Sequence, residues 1–285
     1  MHPYRYIDND KAFRNWREGI SQDQYAVAVD LEAEFNLHIY GEHFCLLQVF
    51  DGTDAVAIDP QGVSIDLIQR FLEERELLKI TYDSASDRLL LYKNHGILMN
   101  RILDLRPAVE LLGFEKQGLG AVLEDALGVP PASEKQRFQQ YDWTKRPING
   151  EALAYAINDV VHLYKLRDAL LDRIRAAGLF DRYLVENFKV QEKEPETDRK
   201  PGMLRSGRFK KLKPREKEIL EDLHGRREIV AREVNLPPNS VFPNKELFSL
   251  AAGKSAPRES RRPRNVPEDA FVELLSSFEE VLRDG

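Results

Sequence analysis

The chain has 285 residues, 42% of them hydrophobic, which is enough for one large domain with a small one or for two medium domains. Its net charge of −6, taken alone, argues weakly against a polyanionic partner. The one cysteine, Cys45, has no second thiol for a disulfide, which excludes a disulfide-rich secreted class and fits a reducing compartment. Residues 1–8 lack the apolar core of a signal peptide, and no stretch approaches the ~18 apolar residues of a membrane span. We therefore expect a cytoplasmic protein without membrane contact.

The charge is distributed unevenly along the chain. Residues 199–265 contain 18 Lys and Arg against 8 Asp and Glu, whereas the other residues contain 24 against 40. A basic region is therefore attached to an acidic body. In an enzyme that acts on phosphates, acidic residues can bind metal ions and a basic region can bind the polyanion.

The first part of the chain reads as strands, followed by alternating strands and helices. Apolar runs at 25–31, 44–50 and 55–58 predict three strands joined by short loops, and so an antiparallel meander. Ser64 can cap the helix that follows. The chain then returns as a strand at 78–82, and this crossover predicts parallel pairing.

Helices dominate the rest of the chain. Segments at 85–95, 105–113 and 118–127 have helical spacing, and Gly96, Gly113 and Gly128 are placed where they can end these helices. We predict one long helix from Glu151 to Ala177, with Asn149 as its cap and Gly178 as its end.

A polar, proline-containing stretch at 191–202 has no periodicity and is interpreted as a linker. Beyond it, helical spacing recurs at 213–234, 244–252 and 267–282. The predicted organisation is a first domain at 1–188, a linker at 189–206 and a small helical domain at 207–285.

Asp30 and Glu32 lie two residues apart at the end of an apolar strand, so the two carboxylates point to the same face of the sheet. Two like charges beside a core are unfavourable unless a cation binds them. A strand end where both side chains merely reach water is the alternative, because Asp-x-Glu alone is a weak motif.

Asp87, Tyr155 and Asp159 are further candidate site residues, but none of them indicates a site when it is considered alone. Asp87 follows the 78–82 strand and, alone, would be read as a charge favoured by a helix dipole. Tyr155 and Asp159 are four residues apart on a predicted helix and share one of its faces, as in many ordinary amphipathic helices.

Together, the runs at 27–32, 45–52 and 155–160 resemble the ribonuclease D family of DEDD exonucleases, over about residues 20–175. Residues 142–148, Asp-Trp-Thr-Lys-Arg-Pro-Ile, are similar to an element of the same family. The resemblance implies an α/β fold, with a ribonuclease H-like mixed sheet flanked by helices and followed by a small all-α domain.

The resemblance also implies the chemistry. Four carboxylates, Asp30, Glu32, Asp87 and Asp159, would hold two divalent ions, and Tyr155 would orient the attacking water. Oxygen ligands without Cys or His favour Mg²⁺ or Mn²⁺. The expected reaction is hydrolysis from single-stranded RNA 3′ ends, in tRNA or small structured RNA, with release of nucleoside 5′-monophosphates. Two alternatives stay open: a DNA or short-oligonucleotide exonuclease, and a non-catalytic nucleic-acid-binding scaffold.

Residues 220–251 resemble a helicase and RNase D C-terminal (HRDC) domain, a helical unit that binds nucleic acid or docks a protein. Seven residues are candidate RNA contacts: Lys135, Gln139, Arg146, Arg208, Lys210, Lys211 and Lys213. The sequence leaves the oligomeric state open.

Overall fold

The computed structural model describes residues 2–21, 23–130, 135–197 and 199–284, without the side chains of residues 135, 136 and 284. The chain divides into two compact units. The first consists of Met1–Ala33 and His43–Thr197, and the second of Glu34–Glu42 and Asp198–Gly285. Among the described helices, none combines the length and apolar composition that a membrane span needs.

A six-stranded mixed sheet forms the centre of the first unit, with the order β1-β4-β3-β2-β5-β6. Its strands are β1 (Tyr4–Ile7), β2 (Ala26–Phe35), β3 (Glu42–Phe50), β4 (Ala55–Ile58), β5 (Leu78–Thr81) and β6 (Ile102–Asp104). β3 and β4 pair antiparallel, whereas β1 with β4, β2 with β5, and β5 with β6 pair parallel. The four predicted strands and the parallel crossover are confirmed.

Helices cover the sheet of the first unit. They are α1 (Asp10–Gly19), α2 (Ile65–Glu73), α3 (Ala85–His95), α4 (Arg106–Leu111), α5 (Leu119–Leu127), α6 (Lys135–Phe138), α7 (Gly150–Val161), α8 (Leu163–Ala176) and α9 (Phe180–Glu192). Gly96 and Gly128 end α3 and α5 with positive φ angles of 69° and 68°, as their positions predict. Ser64 precedes α2, but its side chain makes no capping hydrogen bond.

One predicted helix is in fact two. The segment from Glu151 to Ala177 is interrupted at His162, whose backbone amide bonds to the oxygen of Val160. α7 packs against β4, whereas α8 packs against β5, α4 and α5. The break lets each half bury its apolar face on a different part of the sheet.

α9 continues to Glu192 and so overlaps the first residues of the predicted linker at 189–206. Arg88, a buried residue of α3, donates hydrogen bonds to the backbone oxygens of Val190, Gln191 and Lys193. These bonds satisfy carbonyl groups that the end of a helix leaves without partners. The helical end is therefore stabilised by a contact distant in sequence.

Two apolar layers cover the two faces of the sheet. One contains Ala26 and Ala28 of β2 together with side chains of α4, α5, α7 and α8. The other contains Val27 and Val29 together with side chains of α1, α2 and α3. The first unit is thus a three-layer α/β/α structure, and the alternation along β2 assigns its even-numbered residues to the α7 face.

The second unit is helical. Its helices are α10 (Gly207–Lys210), α11 (Pro214–Glu233), α12 (Pro238–Val241), α13 (Asn244–Ala251) and α14 (Glu268–Asp284). α11 packs on α12, α13 and α14 around one apolar cluster, in which Phe242 lies against Phe278 with ring centroids 5.1 Å apart. The expectation of a small all-α unit is confirmed.

Candidate active site

β2 carries Asp30 and Glu32 to the face of the sheet on which α7 packs. Both are even-numbered, like Ala26 and Ala28, which lie in the apolar layer beneath α7. Both side chains are partly buried. The strand therefore presents two carboxylates side by side where its buried part ends.

Asp87 lies in the first turn of α3 and is held there by a residue of β6. The buried carboxylate of Asp104 accepts hydrogen bonds from the amides of Asp83 at 2.9 Å and Ser84 at 2.8 Å, and from the Ser84 hydroxyl at 2.8 Å. It also accepts from the amide of Arg106 at 2.9 Å. Asp104 thereby fixes the turn between β5 and α3 that presents Asp87.

α7 carries Tyr155 and Asp159, one helical turn apart on one face. Small side chains line the packing surface between this helix and the sheet, namely Ala26, Ala28, Ala55, Ala57, Ala152 and Ala156. Small residues allow close approach, so they bring the polar face of α7 near β2.

The electrostatics show that the carboxylates form one cluster. Burial raises the pKa of Asp30, and repulsion from Asp87 and Asp159 raises it further. The pKa of Glu32 is raised by burial and then by Asp30, Asp159 and Asp87. Burial also raises the pKa of Tyr155, with contributions from Asp159, Glu32 and Asp30. The residues that the motifs predicted are therefore brought together.

The cluster has the properties of a site for divalent cations. Burial, with repulsion from Asp83 and Asp104, raises the pKa of Asp87 to about 7. Among the described basic side chains, none forms an ion pair with Asp30, Glu32 or Asp87. Clustered carboxylate oxygens that repel one another fit hard cations such as Mg²⁺ or Mn²⁺.

Arg146, a candidate RNA contact, is occupied within the first unit. Its guanidinium pairs with Asp59 through two hydrogen bonds, one of them 2.7 Å long, and donates to the backbone oxygens of Cys45, Trp143 and Lys145. Burial alone would raise the pKa of Asp59, but hydrogen bonds from Arg146 and Tyr6 hold it below its ordinary value. All five N–H donors of Arg146 are used, so we assign it to holding the 143–146 segment against the sheet.

The other candidate contacts differ in accessibility. Lys210, Lys211, Lys213 and Arg208 are all exposed, and the guanidinium of Arg208 also lies 4.3 Å from the ring centroid of Phe248. Gln139 is exposed just after α6, and the side chain of Lys135 lies outside the described residues. Three lysines of the second unit are thus free to meet phosphates.

Two residues near the site were missed by the sequence analysis. Asp104 anchors the turn before Asp87, and Phe138 stacks on Tyr155, with ring centroids 5.0 Å apart and an interplanar angle of 28°. Asp104 follows the apolar pair Ile102-Leu103, a short strand signal that could have drawn attention to it. Nothing in the local sequence indicates the partner of Phe138.

The first unit has the fold and the clustered carboxylates that are typical of DEDD exonucleases. The chain belongs to the 3′-5′ exonuclease family, whose model matches residues 4–175. Enzymes of this family depend on divalent metal ions. A second model, for the HRDC domain, matches residues 216–260.

Individual relatives agree with this assignment. Ribonuclease D of Sphingobium indicum is 26% identical over 256 residues, which are 88% of this chain and 64% of that protein. A second, Ribonuclease D of a Jannaschia species, is 27% identical over 79% of this chain and 60% of its own length. The chain thus spans less than two thirds of the length of these curated relatives.

Two solved structures share the fold. The catalytic core of RRP6 from Trypanosoma brucei superposes with a TM-score of 0.78 at 19% identity, covering 99% of this chain and 80% of that one. Escherichia coli RNase D, described as an exoribonuclease involved in structured RNA processing, gives 0.73 at 22% identity, covering 98% and 75%. The expected mixed sheet with flanking helices and a helical C-terminal region is confirmed.

Proposed function

We propose that the protein is a divalent-metal-dependent 3′-5′ exoribonuclease of the ribonuclease D type, which releases nucleoside 5′-monophosphates from single-stranded RNA 3′ ends. One observation carries the proposal. In an exonuclease fold, four carboxylates from β2, α3 and α7 repel one another electrostatically, and three of them, Asp30, Glu32 and Asp159, also raise the pKa of Tyr155.

Each residue receives a role in this reaction. Asp30, Glu32, Asp87 and Asp159 hold two ions, for which Mg²⁺ or Mn²⁺ fits the all-oxygen donor set. When bound, such a pair supplies activation of water and stabilisation of charge on the leaving 3′ oxygen. Tyr155 keeps its proton, because its pKa is raised, and its neutral hydroxyl orients the attacking water.

The proposed substrate is a precursor tRNA or another small structured RNA with a single-stranded 3′ tail. The fold shared with Escherichia coli RNase D, an exoribonuclease involved in structured RNA processing, supports this choice. The exposed Lys210, Lys211 and Lys213 support RNA binding by the second unit, and docking of a protein there is the competing role.

We assign the nuclease to residues 1–188 and an HRDC-like domain to 207–285, with 189–206 joining them. We also propose the cytoplasm as the compartment, because the one cysteine of the sequence, Cys45, has no second thiol with which to form a disulfide.

The test is digestion of a 5′-labelled RNA hairpin that carries a single-stranded 3′ tail, with Mg²⁺, with Mn²⁺ or with EDTA. We expect a ladder that shortens one nucleotide at a time from the 3′ end, nucleoside 5′-monophosphates as products, and no reaction with EDTA. The same RNA with a 3′ phosphate serves as the blocked control. Undiminished turnover in EDTA would refute the metal-dependent mechanism.

DNA of the same sequence, digested in parallel, tests the competing substrate class. Nothing in the motifs reads the 2′-hydroxyl, so equal rates on DNA would make the protein a sugar-independent exonuclease. A folded protein that binds the RNA but hydrolyses neither substrate would indicate a scaffold.

A further inference from the structure

Phe138 stacks on Tyr155 from outside the helix that carries the tyrosine. Phe138 is the last residue of α6 and is only 5% exposed, and the two rings lie 5.0 Å apart at 28°. A stacked aromatic pair contributes about 0.5–1.5 kcal/mol beyond the area it buries. The ring of Tyr155 is thus held by a residue seventeen positions earlier in the chain.

The segment around Phe138 is itself tied to the start of α7. The Tyr141 ring lies between Phe138 and Trp143, with centroid distances of 6.4 and 4.8 Å. The Tyr141 hydroxyl accepts a hydrogen bond of 2.9 Å from the amide of Asn149, whose own side chain caps α7. An aromatic chain therefore connects the ring of Tyr155 to the N-terminus of its own helix.

A further link between the two helices is electrostatic. Arg137 pairs with Glu151 of α7 at 3.0 Å, and both side chains are more than half exposed. Exposed ion pairs contribute little to stability, because water screens the two charges. The buried stacking contact, rather than this pair, is the stronger constraint on the tyrosine ring.

This constraint matters because packing is what fixes the tyrosine. Among the described residues, no hydrogen bond is formed by the Tyr155 hydroxyl, while Asp159, Glu32 and Asp30 all act on it through their charge. A tyrosine side chain without such a bond is oriented by the contacts of its ring. Small misplacements of a group that orients a reactant can cost large factors in rate.

We propose that Phe138 is a positioning residue for the reaction: its ring holds Tyr155 so that the hydroxyl faces the carboxylate cluster. The inference rests on the proposed function, because Tyr155 needs a defined orientation only if it acts on the attacking water. It goes beyond the motif residues, since Phe138 is not one of them and acts through its stacking contact with Tyr155.

The test compares Phe138→Leu, which keeps an apolar side chain but loses the flat ring, with Phe138→Tyr, which keeps the ring. Each is measured alone and together with Tyr155→Phe, in the full chain. The readouts are the single-turnover rate at saturating metal and RNA, the Kd for RNA, and the melting temperature. Leu123→Val is the matched control, because Leu123 is buried in the same apolar cluster.

We expect Phe138→Leu to lower the single-turnover rate about threefold to tenfold while the Kd for RNA stays unchanged. This factor is the free energy of one stacked aromatic pair converted into a ratio of rates. Phe138→Tyr should retain most of the rate, and Leu123→Val should change the melting temperature but not the rate. In the Tyr155→Phe background, Phe138→Leu should have almost no further effect, because the hydroxyl that it positions is gone.

Three results would overturn the inference. The first is an unchanged rate in Phe138→Leu, and the second is a rate in Leu123→Val that falls as far as in Phe138→Leu. The third is a double variant, Phe138→Leu with Tyr155→Phe, whose loss of rate equals the product of the two single losses. A wild-type protein without metal-dependent hydrolysis would instead refute the proposed function, and this inference with it. An active wild-type enzyme with an unaffected Phe138→Leu variant refutes the positioning role alone.

Discussion

The carboxylate of Asp104 accepts two hydrogen bonds from Ser84, one from its amide and one from its hydroxyl, both 2.8 Å long. Ser84 directly precedes α3, and Asp87 lies in the first turn of that helix. An acceptor at the end of β6 therefore determines where the carboxylate of a neighbouring helix is presented. The metal affinity of the site should depend on a side chain that binds no metal.

Replacing Ser84 with alanine should raise the Mg²⁺ concentration needed for half-maximal activity. The lost hydroxyl bond contributes about 1 kcal/mol, so the increase should reach at most about fivefold. A Mg²⁺ titration of the hydrolysis rate measures it. Ser86→Ala, at an exposed position in the same turn, should leave the titration unchanged, and equal shifts in both variants would contradict the role of the Asp104 contact.

Asp30→Asn should abolish hydrolysis and raise the melting temperature of the metal-free protein. The change removes one of several repelling buried charges at nearly constant volume. The variant should also lose most of the stabilisation that Mg²⁺ gives the wild type. Thermal unfolding in EDTA and in Mg²⁺ measures both effects, with the exposed Asp172→Asn as control. A folded Asp30→Asn protein with normal turnover would disprove the role of this carboxylate.

The contribution of Asp30, Glu32 and Asp87 to the stability of the metal-free protein should fall as the pH rises from about 4 to about 7. Burial raises the pKa of Asp87 to about 7, whereas an unfolded Asp titrates near ~3.9. The folded state therefore binds more protons at Asp87 over this range, so this contribution to the free energy of unfolding decreases with pH; Asp30 and Glu32 act in the same direction. Mg²⁺ displaces those protons, so its stabilising effect should grow with pH.

Melting temperatures at pH 5, 6, 7 and 8, with EDTA or Mg²⁺, test this dependence. The stability difference between metal-free Asp87→Asn and metal-free wild type should grow in favour of the variant as the pH rises. This comparison cancels the contributions of the histidines and of Asp59, whose lowered pKa values act in the opposite direction. A difference that stays constant from pH 5 to pH 8 would mean that Asp87 is not protonated in the folded state.

Arg146→Met should reduce stability rather than RNA binding. The substitution leaves Asp59, whose side chain is 5% exposed, without its cation, and breaking a buried pair in this way costs about 3–5 kcal/mol. Urea unfolding gives the free energy of unfolding, and RNA affinity is measured where the variant is folded. The double variant Asp59→Asn/Arg146→Met should recover part of the stability. A stable Arg146→Met protein with weakened RNA binding would restore Arg146 as an RNA contact.

Replacing Lys210 and Lys211 with alanine should weaken RNA binding and make it less sensitive to salt. Each lost phosphate contact reduces the slope of log affinity against log salt by about 0.7 for a single strand. The double variant should therefore change the slope by about 1.4 if both lysines contact phosphates. Lys11→Ala/Lys254→Ala removes the same charge from other exposed positions and should change the slope less. Equal slopes in both variants would favour protein docking by the second unit.

Local spacing predicts which carboxylates share a face, whereas the grouping of all four rests on the family resemblance. Period-2 spacing orients Asp30 and Glu32 together, and a four-residue spacing on a helix does the same for Tyr155 and Asp159. The parallel pairing of the strand at 78–82, which is β5 on β2, follows from a crossover rule. The contacts of Asp104 and Phe138 join residues far apart in the sequence, so no local pattern contains them.

Elements with short or polar strands were missed for a different reason. The side chains of β1 do not alternate between buried and exposed, because Arg5 and Tyr6 are both exposed and only Ile7 is buried. It exists because it pairs with β4, a contact about fifty residues away in the chain. α1 could have been predicted from the sequence, because Asn9 is a suitable N-cap and the apolar residues Phe13 and Trp16 have helical spacing.

β1 and β6 are the outer strands of the sheet, and both are poor templates for another molecule. β1 has four residues and carries the exposed, charged Arg5, while β6 has three residues and packs against α9. An outer strand that is long, flat and apolar invites intermolecular strand pairing, and short, charged or covered strands discourage it. Concentrated samples of the folded protein should therefore resist strand-mediated aggregation, and destabilising α9 should be the change that weakens this resistance most.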